Sequence, residues 1–259
     1  MSSPVIRPYD LLASVYDGGW FEYSEYVASL VEELEAERAR PFRRICDAAC
    51  GTGLLLRHLG GGETEGEGEE RERSAGGGRK LSGFDCSPAM LARARERVPE
   101  AHLLEGDLAG AFPFSGPFDL ITCVYDSINY LLESEQIRSF FRAARGRLFS
   151  DGLFLLDFNT ALMYERRDGM EQPHLIGGEQ FRETLAYDPG PPPLVTTTFT
   201  FPAGSEVHRQ RPREVGEIEE LLVETGFRVL DVFDVMDLDQ GEEGGEDPSG
   251  KVVCTAIPG

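Results

Sequence analysis

The chain has 259 residues, 41% hydrophobic and 27% charged, which supplies enough apolar material for a sizeable buried core and excludes a disordered tail. Its 25 basic side chains stand against 46 acidic ones, a formal net charge of −21; with no segregated basic stripe such a surface repels phosphate backbones, so no nucleic-acid partner is expected. Thirty glycines and sixteen prolines require many turns between many elements, and an α/β architecture is the expectation.

In chain order, MSSPVIRPYD at the N-terminus lacks a basic-then-apolar signal pattern, and no apolar run approaches the roughly 20 residues of a membrane span. Five scattered cysteines without paired spacing read as reduced thiols. A soluble, cytoplasmic protein with no membrane partner is expected. SEYVASLVEELEAER predicts an amphipathic helix capped by Ser24, with Val27, Leu30, Val31 and Leu34 on one face. Arg43 to Cys46 then lead as a strand into Asp47 and the turn Ala49-Cys50-Gly51-Thr52-Gly53, followed by a helix carrying Leu54, Leu55, Leu56 and Leu59. Residues 60–79, rich in Gly and Glu, read as a solvated loop inserted into an ordinary connection.

Leu81 to Asp85 predict a second strand, with Ser87-Pro88 as N-cap and first residue of the next helix. His102-Leu103-Leu104 is a third strand ending near Asp107, and Phe118 to Val124 a fourth, apolar enough for the interior of a parallel sheet. A helix with Ile137, Phe140, Phe141, Ala144 and Leu148 on one face comes next, then an Asp151-Gly152 turn and a fifth strand, Leu153 to Asp157. Repeated strand-helix units over 41–158 predict a doubly wound sheet. QFRETLAYD, LVTTTFTF and SEVHRQR alternate like antiparallel strands, so 159–212 reads as an arm over that sheet. A helix around Ile218, Leu221 and Leu222 stops at Gly226, and strands Phe227 to Phe233 and Lys251 to Ile257 form a closing hairpin across an acidic loop, 237–250.

The turn DAACGTG is the most informative segment. Glycines at a strand-to-helix turn let the backbone approach a ligand that a Cβ would exclude, so a nucleotide-like cofactor belongs there. A dinucleotide fingerprint needs a third glycine at position 56, where the chain has Leu56; a nicotinamide-dependent dehydrogenase therefore fits poorly.

DAACGTG, with Asp85 in GFDCSPAML and Asp107 in EGDL, resembles the ordered motifs of the class I S-adenosylmethionine-dependent methyltransferases, with Ala49 in place of the first glycine. VYDSINYL and the closing RPREVGEIEELLVETGFRVLDVF look like small-molecule members, aminosugar N-methyltransferases and glycine or sarcosine methyltransferases among them. The resemblance implies a Rossmann-like seven-stranded sheet with an N-terminal helical lid (1–40), a cofactor-binding core (41–158), an antiparallel substrate arm (159–212) and a C-terminal helix and hairpin (213–259), all one domain. It implies S-adenosylmethionine as cofactor and S-adenosylhomocysteine as product. Asp47, Ala49, Gly51 and Gly53 would form the turn beneath the cofactor, and Asp85 would accept from the ribose hydroxyls. Asp107 would accept from the adenine amino group, and Leu108 would offer its N–H to the ring. Cys86, Met90 and Tyr125 complete the expected cofactor set.

Methyl transfer is an in-line displacement, so the protein has mainly to align the partners and exclude water. The lid pattern YDLLASVYD makes Tyr16 a candidate to meet the nucleophile, with Tyr9 second. His208 in EVHRQR is a candidate proton acceptor. Asp126, Asn129 and Tyr130, beyond the carboxyl end of a central strand, are expected to line the acceptor pocket, and Arg211 to hold an anionic acceptor group. No acid and histidine cluster has metal-ligand spacing, so no metal is expected. The expected function is methyl transfer to a nitrogen or oxygen of a small molecule. A catalytically silent S-adenosylmethionine-binding protein is the alternative, and the oligomeric state stays open.

Overall fold

The structure, a computed structural model, describes residues 6–61, 78–235 and 249–259. Most of both acidic loops, 60–79 and 237–250, lies outside the described residues. Strands β1 (Arg44–Ala48), β2 (Lys80–Asp85), β3 (His102–Glu105), β4 (Phe118–Cys123) and β5 (Leu148–Asn159) run parallel, and β10 (Phe227–Asp234) and β11 (Lys251–Pro258) close the sheet antiparallel, in the order β10-β11-β5-β4-β1-β2-β3. The order reverses between β1 and β4, which opens a crevice at their carboxyl ends, where doubly wound sheets bind ligands.

Strand side chains alternate between two buried layers. Phe154, Leu156 and Phe158 of β5 face the layer holding α4 (Ser134–Arg145) and α6 (Val215–Glu224), through Phe140, Phe141 and Leu222. Leu153 and Leu155 face the layer of α1 (Asp17–Arg38), α2 (Leu54–Leu59) and α3 (Pro88–Arg97), through Val31, Leu56 and Leu91. β4 and the second half of β5 are thus buried without a break because both faces are covered. The Ser87 side chain accepts from Met90 N at 3.2 Å and Pro88 opens α3, as the sequence predicts.

Three local expectations change. The first helix starts at Asp17 rather than Ser24, and Ser24, fully buried mid-helix, gives its hydroxyl to the Phe21 carbonyl at 2.6 Å. Gly18, inside that helix, answers to a contact requirement: a Cβ on it would lie 2.5 Å from Ile176 Cγ2 of the arm. Strand β5 begins at Leu148, and the expected Asp151-Gly152 turn is an irregularity within it, where pairing to β4 shifts register.

The arm is a four-stranded antiparallel sheet of β6 (Glu171–Ile176), β7 (Glu179–Asp188), β8 (Leu194–Phe201) and β9 (Gly204–Gln210), preceded by the short helix α5 (Ala161–Glu165). β6 escapes the sequence pattern because, as a largely exposed edge strand, it has no apolar alternation and tolerates Pro173. Phe181, Phe199 and Phe201 of the arm pack on Leu12 and Val15, which fixes the start of the lid to the arm, while α1 packs on the main sheet.

Candidate active site

A cavity of about 400 Å³ opens at the switch point. Its floor is the turn after β1, where Ala49, Gly51 and Gly53 have φ of 62°, 52° and 77°. The two glycines do different work. A Cβ on Gly51 would meet nothing within 4 Å, so bare backbone faces the opening. On Gly53 it would lie 3.0 Å from Val98 Cγ2 and 3.3 Å from Ala94, and Gly53 is absent from the cavity wall; this glycine serves the approach of α2 to α3, a correction to its expected cofactor role. Ala49 lines the cavity and tolerates a left-handed conformation at a cost of about 1 to 2 kcal/mol.

Three carboxylates stand along this wall. Asp47 is buried and accepts the Thr122 hydroxyl at 2.7 Å. Burial pushes its pKa up to about 7, against the Thr122 hydrogen bond and with the help of Asp85 and Asp157. Asp85 accepts Gly51 N at 2.9 Å and Ser87 N at 2.8 Å, so the same carboxylate holds the glycine turn and caps the approach to α3. Burial raises its pKa, opposed by the backbone N–H donors of Ser87, Gly51 and Cys86. Asp107 and Leu108 lie on the same wall, Asp107 accepting Ala109 N at 2.8 Å. Cys86, whose thiol burial and Asp85 push up to about 11, Met90 and Tyr125 complete this end.

The rest of the lining includes Tyr9, Tyr16 and Tyr130 together with Arg7 and Asp10, the Tyr16 ring 6.1 Å from that of Tyr125. Tyr16 stacks on Trp20 with centroids 5.0 Å apart, and Tyr125 Oη donates to the Trp20 carbonyl at 2.7 Å, which ties the lid helix to the end of β4. Of the expected acceptor-side residues, Tyr9, Tyr16 and Tyr130 reach the cavity and four do not. Asn129 is fully buried, donating to the carbonyls of Asn159 (2.8 Å) and Arg211 (2.9 Å) and accepting Asn159 N; it clamps chain segments. Asp126 pairs with Lys251 Nζ at 3.1 Å and accepts from Gln210. Arg211 donates to the Leu132 carbonyl and faces Glu217 at 3.7 Å, away from the opening. His208 sits behind Tyr130, 2.8 Å from its hydroxyl.

Asp157, legible in the sequence only as a strand end, organises this region. It is wholly buried and accepts Tyr125 N at 2.8 Å, Asp126 N, and Tyr23 Oη at 2.6 Å, with Lys251 Nζ at 3.3 Å. Those bonds hold Tyr125 and Asp126 at φ of 59° and 48°. A carboxylate ending the apolar run LFLLD, with Lys251 one of two lysines in the chain, was the available signal.

Residues 45–152 match the family model described as a methyltransferase domain. A Geobacillus sp. (strain WCH70) protein named for the methyltransferases is 26% identical over 226 residues, 81% of this chain and 84% of its own. The dTDP-3-amino-3,6-dideoxy-alpha-D-glucopyranose N,N-dimethyltransferase of Streptomyces fradiae is 28% identical over 156 residues, 60% of this chain and 53% of its own. The structure of an S-adenosylmethionine-dependent methyltransferase from Clostridium acetobutylicum ATCC 824 superposes with a TM-score of 0.75 at 20% identity, covering 97% of this chain and 99% of that one. With the sheet order, the glycine turn and these matches together, the chain has the fold of the S-adenosylmethionine-dependent methyltransferases, and residues 45–152 match the methyltransferase-domain model.

Proposed function

We propose that this protein transfers a methyl group from S-adenosylmethionine to a nitrogen or oxygen of a small-molecule acceptor, as a single domain in which lid and arm enclose the acceptor. The observation that carries the reading is one continuous cavity joining the Gly51–Asp85–Asp107 wall to the Tyr9–Tyr16–Tyr130 wall. The open backbone at Gly51 and the carboxylates beside it fit a cofactor with ribose hydroxyls, an exocyclic amine and positive charge. Asp85 would hold the ribose, Asp107 and Leu108 the adenine, and Asp47 the cationic amino-acid end. When bound, the cofactor supplies an electrophilic methyl group on a sulfonium. The protein's part is to orient the acceptor against that carbon and keep water out, a part that falls to Tyr9 and Tyr16 of the lid, Tyr16 being backed by Trp20. The names of relatives such as the Streptomyces fradiae enzyme favour an amine as the acceptor.

Isothermal titration with S-adenosylmethionine and S-adenosylhomocysteine, NADH serving as control, tests the cofactor. Mass spectrometry of dTDP-3-amino-3,6-dideoxy-α-D-glucopyranose and simple phenols then tests transfer. Binding of the adenosyl pair alone is expected; a folded, ligand-free protein that binds neither overturns the reading, and binding with no transfer to any amine or hydroxyl favours a silent binding protein.

The cofactor's affinity is expected to depend on pH through Asp47. Its folded pKa of about 7 lies above the ordinary carboxylate range, so its contribution to stability is full at acid pH and lost as pH rises through 7. A cationic ligand favours the ionised form, so binding strengthens over the same window, by about one order of magnitude from pH 6 to 7.5. Asp47→Asn should flatten that dependence in calorimetric titrations at several pH values. Tyr16→Phe is expected to lower turnover about tenfold with cofactor affinity nearly unchanged; equal loss of both would make Tyr16 a packing residue.

A further inference from the structure

Behind the acceptor end of the cavity runs a chain of hydrogen bonds drawn from three distant segments. Tyr9 Oη lies 2.7 Å from Tyr130 Oη, Tyr130 Oη lies 2.8 Å from His208 Nδ1, and His208 Nε2 lies 3.2 Å from Glu206 Oε1. Tyr9 and Tyr130 line the cavity; His208 is 2% exposed and Glu206 not at all.

The donors around Glu206 fix the direction of every bond in the chain. Leu11 N donates to Oε2 at 2.9 Å and Leu12 N to Oε1 at 3.2 Å. A buried carboxylate surrounded by N–H groups acts as acceptor, so His208 Nε2 carries the hydrogen that points at it. In a neutral imidazole Nδ1 is then the acceptor, and the Tyr130 hydroxyl must donate to it. Tyr130 has given up its one hydrogen, so Tyr9 donates to Tyr130. The lone pairs of Tyr9 Oη remain for a molecule in the cavity. Tyr9 holds this place at a φ of 68°, a costly conformation for a bulky residue and one that recurs at functional sites.

The surroundings suit conduction more than ionisation at the phenols. Burial pushes the pKa of Tyr9 and Tyr130 upward, and the charges facing them, Asp126 toward both and Glu206 toward Tyr130, push the same way. Tyr16 faces Tyr9, Cys86 faces Tyr130, and the Phe199 ring stands edge-on to His208 at 5.1 Å. Asp126 is itself paired with Lys251. Both phenols thus stay protonated and can only pass a proton along, which leaves the imidazole as its destination.

We propose that Tyr9, Tyr130, His208 and Glu206 form a relay that removes a proton from the methyl acceptor, so that the acceptor is a hydroxyl or an ammonium group. The acceptor X–H gives its proton to Tyr9 Oη while Tyr9 passes its own hydroxyl proton to Tyr130 and Tyr130 passes its own to His208 Nδ1. The X–H electron pair stays on X and is free to bond carbon. The resulting imidazolium is balanced by Glu206 and, after product leaves, gives its proton back through Tyr130 and Tyr9 to solvent in the emptied cavity. His208 acts through the two phenols and is a positioning and proton-holding residue; Tyr9 is the one that touches the acceptor. Leu11 and Leu12 belong to the lid, so Glu206 also keeps Tyr9 in place.

The inference rests on the methyl-transfer reading for the bond-forming step after deprotonation, and its test does not require turnover. Nitrogen NMR of the full-length protein reads the tautomer directly: the chain has four histidines, and His208→Gln assigns the resonance. The Nε2–H tautomer is expected, with the Nδ1 resonance shifting on Tyr130→Phe; an Nδ1–H tautomer, or no shift, overturns the relay whatever the other results. The second readout is p-nitrophenol bound in mildly acidic buffer with S-adenosylhomocysteine present. Native protein should show the bound dye as phenolate, and Tyr9→Phe and His208→Gln should lose that band while S-adenosylhomocysteine affinity stays within about twofold. A dye that stays neutral on native protein, or ionises equally on His208→Gln, overturns proton uptake. Failure of the cofactor titration would instead sink the methyl-transfer reading and leave the tautomer result standing.

Discussion

Asp157→Ala is expected to destabilise the protein by about 3 to 5 kcal/mol, the cost of breaking a buried ion pair by removing one partner. The variant strips the acceptor from Tyr125 N–H, Asp126 N–H and the Tyr23 hydroxyl at once, and leaves the largely buried Lys251 ammonium with Asp126 as its remaining carboxylate. Two consecutive non-glycine residues at positive φ then lose the bonds that hold them. For a chain of this size the melting midpoint should fall by roughly 6 to 20 °C. The cofactor end should suffer too, because Tyr125 lines the cavity and ties the lid through Trp20. Scanning calorimetry of Asp157→Ala, Lys251→Met and the double variant checks the cause. The double variant should be less unstable than the sum of the two single ones, since it removes the stranded ammonium. Strict additivity would mean that Lys251 and Asp157 act independently.

Asp85→Ala is expected to weaken S-adenosylmethionine binding by about 1 to 3 kcal/mol, a factor between about 5 and 150, through lost charge-assisted hydrogen bonds. The loss has a second source. The Asp85 carboxylate also accepts Gly51 N and Ser87 N, so alanine loosens the turn whose open backbone forms the cavity floor. Asp85→Asn separates the two, because an amide oxygen can keep one of those backbone bonds while the negative charge is gone. If Asn recovers most of the affinity, turn geometry dominates; if it binds as weakly as Ala, the charge does. Calorimetric affinity unchanged in both variants would take Asp85 out of the cofactor site.

Local chemistry was enough for much of the core. The alternation of apolar runs and glycine turns over 41–158 places β1 to β4, α2 and α3 within a few residues of where they lie, because turn stereochemistry and helix capping depend on neighbours a few positions apart. Ser87-Pro88 is such a case, and so is the turn holding Gly51. The arm was legible as antiparallel strands except for β6, whose edge position removes the alternation on which such a reading depends. The true start of the first helix was not legible for the opposite reason: Gly18 and Gly19 inside it answer to Ile176 of the arm, a contact no local pattern contains.

The acceptor side shows the same division at the level of single residues. Asp126, Asn129 and Arg211 have the chemistry of a binding pocket, and the structure uses that chemistry internally, on Lys251, on backbone carbonyls and on Glu217. Glu206 and Asp157 stand in no motif, although they anchor the lid and the turn after β4. The doubly wound core and the carboxylate and glycine wall of the cavity are written in the residues themselves, because they depend on periodicity and turn geometry within short segments. The meeting of Tyr9, Tyr130, His208 and Glu206, and the balance of Asp157 by Lys251, come from the folded chain alone. Glu206 and His208 are two positions apart on one strand, but Tyr9–Tyr130 and Tyr130–His208 join residues 121 and 78 positions apart, and those meetings are set by sheet register and by which face each strand buries, neither of which the neighbouring residues encode.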